Sequence, residues 1–216
     1  MAGATGLVGR AVLARLLADK QYSAVHCVGR RAPFAAQDAP QPKLVAHITD
    51  SFSDFVAPRV DDVFIALGTT IKVAGSREAF RAVDFDAVLA VARAGLAAGA
   101  IRLAVVSAMG ASSQSPVFYN RVKGEMEAAV SALGFDTVVI VRPSLLAGDR
   151  DSLSQAQRLG EKLALGAARW LNPLLPADYR SVDANQVAGA MVSTLQTAGA
   201  GPHVLLSGAL RRHPTI

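Results

Sequence analysis

Residues 3–9 read GATGLVG, and the spacing of their glycines indicates the fold. A glycine at every third position lets the backbone turn tightly and approach a pyrophosphate closely, provided that the loop joins a strand to a helix. Apolar residues at helical spacing follow in VGRAVLARLLADK. Only Met1 and Ala2 precede the loop, so we expect a truncated or missing first strand and a natural chain that begins upstream of Met1.

Short apolar runs alternate with helical segments along the rest of the chain. The runs lack strict polar alternation, which is typical of strands buried on both faces. Strand and helix in alternation predict a doubly wound α/β fold, with a parallel sheet between two layers of helices. The predicted strands are AVHCVGR, KLVAHI, DDVFIALG, IRLAVVS, FDTVVIVRP and HVLLS, and the predicted helices after the first are SREAFRAVDFDAVLAVARAGLAAG, FYNRVKGEMEAAVSALG, SLSQAQRLGEKLALG and DANQVAGAMVSTLQ.

Length and hydropathy limit the organisation. A chain of 216 residues suits one domain spanning 1–216, with a small substrate-side segment around 145–182. The chain is 51% hydrophobic with a mean hydropathy of +0.32, but no uncharged apolar run approaches the roughly 18 residues of a membrane span. No secretory signal is recognisable, so we expect no transmembrane segment and a cytoplasmic location.

The net charge of +5 does not indicate a nucleic-acid partner, because the basic residues are scattered rather than gathered into a stripe with aromatic residues. The single cysteine, Cys27, lies in an apolar run and is expected to be a buried thiol. The four histidines have no ligand spacing, so we predict no metal site.

The predicted second strand ends in GRR, at Arg30 and Arg31. In a nucleotide-binding βαβ unit this strand end lies beside the adenosine ribose, where an arginine can pair with a 2′-phosphate. The pair therefore favours NADP(H) over NAD(H). The alternative is that both are solvated arginines on a basic surface.

A second group of residues could carry acid–base chemistry. Tyr119 and Lys123 are four apart on a predicted helix and share one face, and Ser107 closes the strand before it. An ammonium group next to a tyrosine lowers the pKa of the phenol, and a serine hydroxyl can orient a carbonyl. All three are expected at the carboxyl edge of the sheet, where such folds bind ligands.

These motifs resemble the short-chain dehydrogenase/reductase superfamily. LGTTIKVAGSREAFRAVDFD, VVSAMGA, FYNRVKGEME and VRPSLLAGDR are similar to its atypical branch, in the Tat-interacting-protein-like group, and the resemblance covers nearly the whole chain. It implies a Rossmann fold and hydride transfer between NADPH and a carbonyl or alcohol. Lys123 would reach the nicotinamide ribose beside Tyr119. The other implied cofactor positions are Gly3, Thr5, Gly6, Leu7, Val8 and Gly9 at the pyrophosphate, Arg30 and Arg31 at the 2′-phosphate, Leu67 and Gly68 beside the adenosine, and Pro143 and Ser144 at the nicotinamide end.

Asp84 stands where the resemblance implies an active-site asparagine. An ionised carboxylate only accepts hydrogen bonds, whereas an amide also donates, so a catalytic Asp84 needs an altered proton relay. Alternatively, Asp84 is a helix-surface carboxylate paired with Arg81 or other basic residues nearby.

Two functions stay open: an NADP-dependent oxidoreductase acting on a small molecule, and a non-catalytic NADP(H)-binding sensor that acts on a protein partner. Asp84 favours the sensor, and the Ser, Tyr and Lys residues favour the enzyme. An apolar lid over a hydrophobic substrate is a further expectation, though packing against the sheet explains the same residues equally well. The lid residues are Trp170, Leu171, Leu174, Leu175 and Tyr179.

Overall fold

A parallel sheet forms the middle layer of the protein in the computed structural model, which describes residues 1–33, 41–144, 146–147, 176, 178 and 180–213. Its strands fall where the six apolar runs predicted them. They are β1 (Val25–Gly29), β2 (Leu44–Ile48), β3 (Asp62–Ile65), β4 (Arg102–Val106), β5 (Thr137–Arg142) and β8 (Gly201–Leu206). Two short strands that the sequence did not predict, β6 (Leu146–Ala147) and β7 (Val182–Asp183), form a separate pair.

The amino-terminal residues join the two halves of this sheet. Ala2 lies between β1 and β3 and bridges Val28 on one side and Ile65 on the other, both in parallel. Its N–H donates to the carbonyl of Phe64, and its own carbonyl accepts from Ala66, each at 2.9 Å. The spatial order is therefore β2, β1, the amino-terminal bridge, β3, β4, β5 and β8. A single bridging residue, Ala2, lies where the sequence predicts a truncated or missing first strand.

The helices follow the predicted periodicity. The helix predicted as one segment around residues 76–99 contains a π-helical turn between two α-helical parts. The helical elements are α1 (Leu7–Ala18), α2 (Ile71–Ala74), α3 (Arg77–Arg81), the π-helical turn (Ala82–Ala87), α4 (Val88–Ala97), α5 (Phe118–Ser131), α6 (Ala184–Thr197) and α7 (Ser207–Leu210).

Two apolar cores, one on each face, hold the helices to the sheet. On one face α1 and α6 pack against the strands, with Leu16 and Leu195 buried near Val139. On the other face α4 and α5 do the same, with Met126 buried near Leu103. Burial of these large side chains provides the main favourable free energy of folding. The predicted three-layer, doubly wound α/β architecture is confirmed.

The prediction that every strand is buried on both faces is wrong for β2 and for β8, the two end strands of the described sheet; in β8 every second residue is exposed. Val45 is 39% and Ile48 is 59% exposed, because β2 is the last strand on its side of the described sheet. The predicted helix SLSQAQRLGEKLALG, the proposed lid residues and most of segment 145–182 lie outside the described residues. No helix in the described ranges is long and apolar enough to cross a membrane.

Candidate active site

The glycine loop lies at the carboxyl edge of the sheet, and two of its glycines are required by close packing. Gly3 has φ +85°, and a Cβ there would lie 2.4 Å from the carbonyl oxygen of Ala66. A Cβ on Gly9 would lie 1.9 Å from the carbonyl oxygen of Gly3. Both distances are far below van der Waals contact, so the loop is held against the end of β3 by backbone contacts that only glycine permits.

Gly6 is different, because the protein itself has room for a side chain there. A Cβ on Gly6 would lie 3.4 Å from the carbonyl of Gly3, with nothing nearer. Gly6 also begins α1 without a side-chain cap, so no side chain occupies the N–H groups that follow at Leu7 and Val8. Uncapped N–H groups at a helix start, next to open space, fit a pyrophosphate group. Thr5 lies in the turn between these features.

Arg30 and Arg31 directly follow β1, as predicted. Both side chains are exposed at the carboxyl edge of the sheet. Gly29, the last residue of β1, pairs with Ile48 at the end of β2, so the two arginines emerge between two strand ends. This position is compatible with an anionic group bound outside the sheet, and equally with a solvated basic surface.

A buried ion pair lies next to the end of β3. Lys123 Nζ is 2.7 Å from Asp84 Oδ1, and both side chains are almost completely buried. The other carboxylate oxygen accepts a hydrogen bond from the N–H of Thr69 at 2.8 Å. A Cβ on Gly68 would lie 3.3 Å from Asp84 Oδ1, so the backbone of the β3 loop covers the pair closely. Leu67 precedes this contact and is half-buried.

The π-helical turn explains why Asp84 is inside the protein. Such turns accommodate one extra residue and commonly occur at functional sites. Asp84 lies in this turn and has no exposed surface. The alternative that Asp84 is a surface carboxylate paired with Arg81 is therefore wrong, since Arg81 instead pairs with Glu125 at 2.5 Å.

Tyr119 lies at the start of α5, one turn before Lys123. Its ring packs against Phe80 with the ring centres 5.3 Å apart. Burial, and secondarily the negative charge of Asp84, raises the pKa of Tyr119 to about 12. This direction is opposite to the expectation that the Lys123 ammonium lowers the pKa of Tyr119; burial of the phenol is the main cause, and the Asp84 carboxylate adds to it.

Ser107 directly follows β4 and is buried, and its N–H donates to the carbonyl of Val141 at 2.8 Å. Its hydroxyl has no hydrogen-bond partner within the described structure, so it is not bonded to Tyr119. A buried hydroxyl without a partner costs about 1–3 kcal/mol, which makes it a candidate to bind a ligand oxygen.

The end of β5 closes the other side of the site. Pro143 is buried, and its carbonyl accepts from the N–H of Met109 at 3.1 Å, which ties it to the segment after Ser107. Ser144 is held by its N–H donating to the Ser207 hydroxyl at 2.8 Å and by its hydroxyl donating to the Arg180 carbonyl at 2.6 Å. Both predicted residues are thus at the carboxyl edge of the sheet.

The structure therefore brings most predicted residues to one edge, but it adds contacts that the sequence did not reveal. One of them is Phe80, whose ring packs against Tyr119. Phe80 is apolar and lies four residues before Asp84, so the helical spacing could have placed both residues on the same buried face. Glu127, one turn after Lys123, forms a buried two-point ion pair with Arg142. No group of three or more His, Cys, Asp or Glu side chains that could hold a metal occurs among the described residues.

Some known proteins are similar to this chain in sequence, and others are similar to it in fold. The chain matches the family model described as NAD(P)H-binding over residues 3–198. It is 37% identical over 168 residues to the protein named fmp52, mitochondrial, of Emericella nidulans, which covers 75% of this chain and 72% of the relative. A short chain dehydrogenase family protein of Francisella tularensis has a similar fold, with TM-score 0.69, 15% identity and 96% coverage of both chains.

A short-chain dehydrogenase/reductase superfamily protein of Agrobacterium tumefaciens with bound NAD is also similar, with TM-score 0.64, 18% identity and coverage of 95% of this chain and 76% of that one. A doubly wound sheet with a glycine loop at its carboxyl edge defines a Rossmann protein. This chain belongs to the NAD(P)H-binding family, and its fold is similar to that of short-chain dehydrogenase/reductase proteins. The predicted family resemblance is confirmed.

The predicted cytoplasmic location is wrong, because the matched fungal relative is named as a mitochondrial protein. The prediction rested on the lack of a secretory signal. Mitochondrial targeting uses different features, namely amphipathic, arginine-rich segments, so the lack of a secretory signal does not bear on that compartment.

Proposed function

We propose that this protein is an NADP(H)-dependent oxidoreductase that transfers hydride between the cofactor and a carbonyl or alcohol of a small molecule. The observation that carries the proposal is the buried, unpartnered hydroxyl of Ser107 at the same sheet edge as Tyr119, Lys123 and Asp84. The uncapped start of α1 and the open space at Gly6 support cofactor binding at that edge.

Each residue has a distinct chemical task in the reductive direction. A reduced nicotinamide bound at this edge would supply a hydride to the carbonyl carbon. Ser107 donates a hydrogen bond to the carbonyl oxygen and orients it. The π electrons of the C=O bond move to that oxygen, which takes the proton of the Tyr119 hydroxyl. Lys123, held by Asp84, lies one helical turn from Tyr119 and would donate a hydrogen bond to a ribose hydroxyl of the cofactor.

A screen for NADPH oxidation with varied carbonyl compounds tests this proposal. Tyr119→Phe removes the proton donor and Ser107→Ala removes the orienting hydroxyl, so each should lower kcat by about 10²–10⁴-fold while the NADPH Kd changes little. Ser131→Ala, on the exposed end of α5, is the control and should leave both values unchanged. Turnover that survives Tyr119→Phe would contradict the assigned role of Tyr119.

Arg30 and Arg31 carry the proposed preference for NADP(H). A guanidinium paired with the 2′-phosphate forms a charge-assisted hydrogen bond of about 1.5–3 kcal/mol. Arg30→Ala with Arg31→Ala should therefore weaken NADPH binding at least tenfold and leave NADH binding nearly unchanged, as measured by cofactor fluorescence. Arg93→Ala, an exposed arginine on α4, is the control. An equal loss of affinity for NADPH and for NADH would contradict a specific contact with the 2′-phosphate and indicate a nonspecific charge effect.

The second candidate function is a non-catalytic NADP(H)-binding sensor with a protein partner. The raised pKa of Tyr119 and the neutralised Lys123 favour it, because neither matches a tyrosine activated by a neighbouring cation. Tight NADPH binding without turnover of any carbonyl would support this alternative. The name of the fungal relative supports a mitochondrial site of action, which fractionation of cells that express the full-length protein would test.

A further inference from the structure

The pairing of Asp84 with Lys123 sets the charge balance of the site. Both groups are buried, with 0% and 3% residue exposure, and they are 2.7 Å apart. Asp84 is also held by the N–H of Thr69, so its position is fixed from two sides. In the described part of the chain, no other acidic side chain forms an ion pair with Lys123. The cation beside Tyr119 is therefore cancelled by an adjacent anion.

We propose that Asp84 cancels the charge of Lys123, so that Lys123 does not acidify Tyr119 and Tyr119 takes part in carbonyl reduction as a protonated donor. Asp84 acts here as a positioning residue, through Lys123 and Tyr119. The inference rests on the proposed oxidoreductase function and adds how the proton donor is kept protonated.

The arginines on the elements around Tyr119 do not replace the positive charge that Asp84 cancels. Arg81, on α3, pairs with Glu125 of α5. Arg142, at the end of β5, pairs with Glu127 of α5. Two further arginines lie over the Phe118 ring rather than against the phenol: they are Arg77 and Arg121.

A protonated tyrosine suits one direction of the reaction. In reduction the new alkoxide oxygen takes the Tyr119 proton, and the resulting tyrosinate regains a proton from water. In oxidation the tyrosinate must be present first, to take the proton of the alcohol while hydride leaves its carbon. With the pKa of Tyr119 raised to about 12, only about one molecule in 10⁵ has the tyrosinate at pH 7.

Ultraviolet difference titration of the cofactor-free protein tests the inference without any substrate. Tyrosinate absorbs near 295 nm, and Tyr119→Phe in each background isolates the signal of Tyr119. Asp84→Asn exposes the phenol to an uncancelled cation, so Tyr119 should ionise about one pH unit lower or more. Asp86→Asn removes an exposed carboxylate from the same π-helical turn, and it should not shift the titration.

A double variant guards against an Asp84→Asn protein that folds poorly. Asp84→Asn with Lys123→Met removes both charges, so Tyr119 should ionise again near the wild-type pH. Circular dichroism confirms the fold of each variant. Once a substrate is known, the alkaline limb of the pH profile for reduction should move about one pH unit lower in Asp84→Asn. A titration that does not shift overturns the inference even if carbonyls are reduced; a shift without any carbonyl reduction supports the role of Asp84 and overturns the proposed function.

Discussion

At the scale of single residues, the glycine loop separates the needs of folding from those of binding. Position 9 must be glycine, because a Cβ there would lie 1.9 Å from the carbonyl oxygen of Gly3. At Gly6 the neighbouring protein atoms leave room for a Cβ. Sequence spacing alone treats the two as equivalent. Only the structure shows that one supports the loop and the other leaves a surface open.

This difference predicts two distinct phenotypes. Gly9→Ala forces the loop away from its packed position and should lower the free energy of unfolding by about 1–3 kcal/mol. Gly6→Ala should change it by less than about 1 kcal/mol, but its methyl group should raise the NADPH Kd at least tenfold by occupying the space proposed for the pyrophosphate. Denaturant unfolding and cofactor fluorescence measure the two effects.

Gly199→Ala is the matched control, since nothing lies within 4 Å of a Cβ at that position. Normal NADPH affinity in a folded Gly6→Ala protein would contradict the placement of the pyrophosphate.

At the scale of elements, α5 carries two of the proposed site residues, Tyr119 and Lys123, and packs against the segment after β4. A Cβ on Gly124 would lie 2.2 Å from the backbone of Ser112 and Ser113, so the helix and this segment touch through glycine. The N–H of Ser112 also donates to the carbonyl of Asn120 at 3.0 Å. Ser107 at the end of β4 and Tyr119 on α5 are therefore kept in a fixed relation by backbone contacts.

Gly124→Ala should accordingly be destabilising, although alanine favours an isolated helix by about 1 kcal/mol over glycine. Overpacking against Ser112 and Ser113 should lower the free energy of unfolding by about 1–3 kcal/mol and reduce turnover with it. Ser131→Ala, at the exposed end of the same helix, should leave both unchanged. A more stable Gly124→Ala protein, measured by thermal unfolding, would show that the segment can move away.

At the scale of the whole molecule, the order of strands and helices could be predicted because strong local patterns encode it. The glycine spacing and the positions of Ser107, Tyr119 and Lys123 also predicted that these residues gather at the carboxyl edge of the sheet; their roles stay a prediction. The Asp84–Lys123 pair could not be predicted, because a π-helical turn depends on how the helix packs rather than on periodicity. The exposure of β2 was missed for a similar reason, since an edge strand and an inner strand have similar composition here.

The π-helical turn also makes the site sensitive to the length of the chain. An α-helix advances by about 100° per residue, so deleting a single residue from this turn would let the helix run on regularly and rotate the part before it by that angle relative to α4. Phe80 would then leave the ring of Tyr119. Substitutions can change this site gradually. The loss or gain of one codon here would instead disrupt both the Phe80–Tyr119 ring contact and the Asp84–Lys123 ion pair at once.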